Sequence, residues 1–75
     1  MPFIDIKVIE GAFTAEEKRE MVERVSEAVI AVEGEALRPF TVTAITETPS
    51  GEWAVGGQSY TADDVKSARS AGATA

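Results

Sequence analysis

The chain has 75 residues, 44% of them hydrophobic, with no histidine and no cysteine. That composition indicates one small globular domain and excludes disulfides, thiolate chemistry, the commonest metal ligand and the commonest general base. Seven basic against 13 acidic side chains give a net charge of −6, which argues against binding nucleic acid or an anionic membrane. No apolar run approaches the ~18 residues of a membrane span, and no signal-peptide pattern is visible, so a soluble cytoplasmic protein is expected.

The first predicted element is a strand over residues 3–9, FIDIKVI. Its alternation puts Ile4, Ile6 and Val8 on one face and Phe3, Asp5, Lys7 and Ile9 on the other. Pro2 stands directly before it, a place where a missing amide N–H is tolerated. A helix follows Gly11, with Thr14 as N-cap and Glu17 three residues later completing a capping box. Met21, Val22, Val25, Ala28, Val29 and Val32 form its apolar stripe, and Gly34 marks its end. After Pro39, FTVTAITE reads as a second strand, expected to pair parallel with the first through the crossover helix.

The remainder carries turn signals at Pro49, Ser50-Gly51 and Gly56-Gly57 around a short strand at 52–55. Thr61 and Asp64 can cap a final helical turn or two, ending about Ser67. The end of the chain, SARSAGATA from Ser67, is small and polar, and residues 68–75 are expected to fray. The fold class is therefore α+β: a β-α-β unit with a short C-terminal hairpin, in one domain over residues 1–67. One sheet face under one helix is a thin core for a domain this small. Phe3, Ile9, Phe40 or Ile45, and Trp53 are expected to lack cover within one chain. A homo-oligomer that completes the sheet would supply it.

The chemistry is narrow. No side chain here has an ordinary pKa between about 5 and 9, whereas a free α-amine titrates at about 7.7–8.0. Loss of Met1 would turn that amine into the secondary amine of Pro2, rigid and able to act as a general base. With Met1 attached, the same nitrogen is an amide and has no basic lone pair.

Several motifs converge on one resemblance. PFIDIKVIEG, the capped helix, ITE at the end of the second strand and SGEWAVGG together resemble the 4-oxalocrotonate tautomerase family over residues 2–57. The resemblance implies a hexamer built as a trimer of dimers, with no cofactor and no metal. It also implies an N-terminal proline, here Pro2, that moves a proton between the enol and keto forms of a small carbonyl compound. Trp53 falls at the family's aromatic pocket wall, with Ile9 as a further pocket residue. Two family arginines that grip the substrate carboxylate are replaced by Ala12 and Val42, so a dicarboxylate substrate is not expected.

Arg38 is a candidate substitute cation, set against an ordinary solvated loop arginine. Trp53 can equally plug an oligomer interface. Lys7 reads as a surface or interface charge, Glu17 and Glu20 as a solvated helix face, and Gly56-Gly57 as a turn. The expected function is enol–keto isomerisation of an aryl or alkyl keto acid. The alternative is a non-catalytic oligomeric small-molecule-binding or structural homologue, with a hydratase or decarboxylase ranked last.

Overall fold

The computed structural model describes residues 1–73. In chain order these form β1 (Phe3–Ile9), α1 (Ala15–Glu33), a 3-10 helix (Glu35–Phe40), β2 (Val42–Thr48), β3 (Trp53–Val55), β4 (Gln58–Tyr60) and α2 (Ala62–Ala73). β1 pairs with β2 and β3 with β4. The Val42 N–H donates to the Pro2 carbonyl at 3.1 Å, and the Glu10 N–H to the Thr48 carbonyl at 2.7 Å. Both strands advance in the same direction between those bonds, so β1 and β2 are parallel, as the crossover helix requires. The expected α+β arrangement, a β-α-β unit followed by a hairpin, is present. The chain divides into two compact units: Met1–Ile6 with Thr14–Thr46, and Lys7–Phe13 with the residues from Glu47 onward.

In the first unit, β1 keeps its two-residue alternation, with Ile4 and Ile6 half-buried and Phe3 and Asp5 exposed. The capping box of α1 is reciprocal. The Thr14 N–H donates to the Glu17 carboxylate at 2.9 Å, and the Glu17 N–H to the Thr14 hydroxyl at 3.1 Å. These bonds satisfy amides that the first helical turn otherwise leaves orphaned.

The buried stripe of α1 differs from the one expected. Ile30 is its most covered residue, at 5% exposure, whereas Val32 is 90% exposed. Ile30 lies two steps of four along the helix from Val22, through Ser26, whose hydroxyl donates to the Thr43 hydroxyl of β2 at 2.6 Å. That line faces the strand, and Ala28 and Val32 are carried round to the open flank. Gly34, at φ 105°, then turns the chain in a region costly for any residue with a Cβ. Its N–H donates to the Ile30 carbonyl at 2.9 Å and ends the helix.

The second strand was expected from Phe40, but Phe40 closes the 3-10 helix and is half exposed. The Thr41 N–H still returns to the Arg38 carbonyl at 3.3 Å, which delays the extended backbone to Val42.

In the second unit, Val8, Ile9 and Ala12 are buried. Ile9 thus corrects the expectation that it lacks cover within one chain; it lines a cavity together with Trp53 and Val65. β3 and β4 are antiparallel, with Trp53 opposite Tyr60 and Val55 opposite Gln58. The two residues between them, Gly56 and Gly57, have φ of 58° and 82°, the paired positive values of a type I′ hairpin turn.

A second reciprocal cap opens α2. The Thr61 N–H donates to the Asp64 carboxylate at 2.8 Å, and the Asp64 N–H to the Thr61 hydroxyl at 3.2 Å. The Ser50 hydroxyl accepts the Ala62 N–H at 2.9 Å. α2 then runs to Ala73 rather than stopping about Ser67. The segment expected to fray is therefore helical from residue 68 to Ala73, because its alanines are the best helix formers. Residues 74–75 lie outside the described residues. Among the described residues, no helix is long and apolar enough to cross a membrane.

Candidate active site

Pro2 is held from one side by its carbonyl, which accepts the Val42 N–H. It is half-buried, and its ring lines a groove of about 560 Å³ with Val25, Ala28, Val29, Val32 and Glu33 of α1. The apolar flank that α1 leaves uncovered is thus one wall of the Pro2 groove. The lining of this groove is apolar apart from Glu33, and it opens to solvent past Val32, which is 90% exposed.

Glu33 was not among the residues singled out from the sequence. Its position held a signal: an acidic side chain at a helix C-terminus, where the carbonyl ends disfavour negative charge. The last turn of α1 contains no basic residue to offset it. The Thr41 hydroxyl lies against one Glu33 oxygen and 3.0 Å from the Leu37 carbonyl. Its single proton goes to the carboxylate, the stronger acceptor. The other carboxylate oxygen, Oε1, is buried and has no hydrogen-bond partner.

Trp53 and Ile9 line a different cavity, of about 460 Å³, with Tyr60, Val65 and Arg69. The Arg69 guanidinium sits 5.0 Å from the centre of the Phe13 ring, within cation–π range. Ala12 is buried in the turn after β1, where its N–H donates to the Ile9 carbonyl at 3.2 Å. Val42 is joined to Pro2 by backbone and is 46% exposed. Within the first unit Pro2 meets Val42, and within the second Ile9 meets Ala12 and shares a cavity with Trp53.

Arg38 is engaged elsewhere. Its two terminal nitrogens donate to the two Glu27 oxygens at 2.8 and 2.9 Å. Nε donates to Glu35 at 2.8 Å, and one terminal nitrogen also reaches Glu35 at 2.9 Å. The bonds to Arg38 hold both carboxyls below the ordinary range, and the two carboxylates hold the guanidinium above its own. A substrate carboxylate reaching Arg38 would have to displace one of these.

The sign of that clamp is testable. Depressed carboxyl pKa values add stability above the unfolded value, about 4.3 for Glu, which disappears as pH falls through the folded ones. Wild type should therefore melt above Arg38→Gln at pH 7, and the gap should close below about pH 4. It should also shrink in high salt, because the group is exposed. A gap that persists at pH 3 would assign the effect to packing of the arginine stem.

A family model described as tautomerase enzyme matches residues 2–63. The chain belongs to the tautomerase family. It is 31% identical over 61 residues to the probable tautomerase K2 of Dickeya dadantii (strain 3937), covering 81% of this chain and 90% of that protein. No solved structure matches it. Membership of the tautomerase family implies a small-molecule substrate, and the family match begins at Pro2 itself. α2 continues for ten residues past the matched stretch, from Asp64 to Ala73.

Proposed function

We propose that this chain is a keto–enol tautomerase whose acid and base are one group, the secondary amine of Pro2 exposed by loss of Met1. The observation that carries the reading is the placement of the Pro2 ring in an apolar groove at the entry to β1. No histidine or cysteine competes for the role. The neutral nitrogen takes the proton of the enol hydroxyl. The C=O bond forms as the C=C bond gives its electron pair to carbon, and the prolinium returns a proton to that carbon. Atoms and charge balance without a cofactor.

The proposed substrate is an aryl or alkyl enol–keto acid rather than a dicarboxylate. Supporting this, the two positions that carry arginine in the resembling family hold Ala12 and Val42, neither of which can pair with a carboxylate. Trp53 and Ile9 are proposed to contact the organic part of the substrate. Assembly into a hexamer is part of the proposal, supported by apolar surface left open at Phe3 (69% exposed) and at Phe40 and Val32.

The absence of both arginines favours one competing reading, a binding protein that has lost catalysis. Two synthetic chains decide between them, one beginning at Met1 and one at Pro2. The Pro2 chain should ketonise phenylenolpyruvate at least ~100-fold faster than the Met1 chain, the usual scale of general acid–base catalysis. Equal rates would leave the binding protein standing.

A further inference from the structure

Glu33 stands out as a carboxylate with an unmet need. Oε1 is buried and unpartnered while the Thr41 hydroxyl occupies the other oxygen. An acceptor removed from water without a donor is costly, more so when charged. The aliphatic side chains sharing its groove have no proton to offer, and among the described residues lining that groove Glu33 alone is ionisable. The other member of the groove is Pro2. As the residue of an internal peptide it has no N–H, but as a protonated chain terminus it has two.

We propose that Glu33 is the counter-ion of the amino-terminal proline, accepting an N–H of the protonated Pro2 nitrogen at Oε1. This rests on the proposed role of Pro2. The proton taken from the enol oxygen stays on nitrogen, hydrogen-bonded to Glu33, until the nitrogen delivers it to carbon; the carboxylate exchanges no proton. Glu33 is thus a positioning residue. It fixes the direction of the amine and favours the ammonium form. One unit-charge partner at contact shifts such an amine upward by ~1 pH unit or more.

The test is the pH profile of kcat/KM for phenylenolpyruvate in the Met1-trimmed protein. Glu33→Gln keeps the size of the side chain and an acceptor for the Thr41 hydroxyl but removes the charge. The acid limb, which reports the neutral amine, should move to lower pH by ~1 unit, so the variant retains activity where wild type has lost it tenfold. An unmoved acid limb overturns the inference.

A second measurement avoids any dependence on the variant folding. In wild type labelled with carbon-13 at glutamate carboxyls, the Glu33 resonance should step at the pH where a nitrogen-15 label on Pro2 titrates. Absence of that step also overturns it. If Pro2→Ala matches wild type, the base assignment itself has failed. If Pro2→Ala is inactive while Glu33→Gln leaves the profile in place, only the counter-ion is lost.

Discussion

Replacing Pro2 by alanine in the trimmed chain should lower kcat/KM for phenylenolpyruvate ketonisation by ~100-fold, within the usual range for losing a placed acid–base group. The loss is not total, because alanine leaves a primary amine at the same terminus. That amine has no ring to fix its lone pair and can rotate toward water, so both its direction and its desolvation suffer. The effect should fall on kcat more than on KM, since the nitrogen acts on the transferring proton rather than in holding the substrate. A variant within threefold of wild type would remove Pro2 from the reaction. Intact mass must first show Met1 absent from both proteins.

Ile30→Ala should produce the largest loss of stability. The side chain is 5% exposed, and such a deletion in a closed site costs about 2–5 kcal/mol. In a domain of this size that lowers the melting midpoint by more than ~10 °C. Val32→Ala removes two carbons where Ile30→Ala removes three, yet Val32 is 90% exposed and should cost within ~0.5 kcal/mol in the isolated chain. Comparing the two at several protein concentrations also reads out association. A cost at Val32 that grows with concentration would mean a second subunit covers it. An Ile30→Ala protein melting with wild type would contradict the packing of α1 described above.

The parts of the fold most legible in the sequence were those fixed by local hydrogen bonding. Thr14 with Glu17, Thr61 with Asp64, and Gly56 with Gly57 each use short-range chemistry that a few letters specify. The alternation of β1 was equally readable because a two-residue period has no neighbouring solution. The stripe of α1 was not. Met21 to Val32 includes more aliphatic residues than one strand pair can cover, so the pattern alone could not choose between Ile30 and Val32. Three-dimensional pairing of Ser26 with Thr43 made that choice. The length of α2 was missed because small residues were weighed as polar rather than as helix formers.

At the site, sequence alone pointed to Pro2 through its type and its place before a strand. Arg38 was visible as a cation, but its engagement with Glu27 and Glu35 depends on the 3-10 helix, which the sequence reading did not contain. Glu33 was hidden for a different reason. Its importance lies in one oxygen atom that finds no donor, and no spacing rule reports that.

The way Pro2 joins the sheet has one further outcome. Its carbonyl receives the Val42 amide, and that carbonyl belongs to a peptide linkage an aminopeptidase never touches. Met1 is 84% exposed, within reach of such an enzyme after folding as well as before. The proposed loss of Met1 would therefore leave the pairing of β1 with β2 intact, because the cleaved bond lies outside the hydrogen-bonded strand.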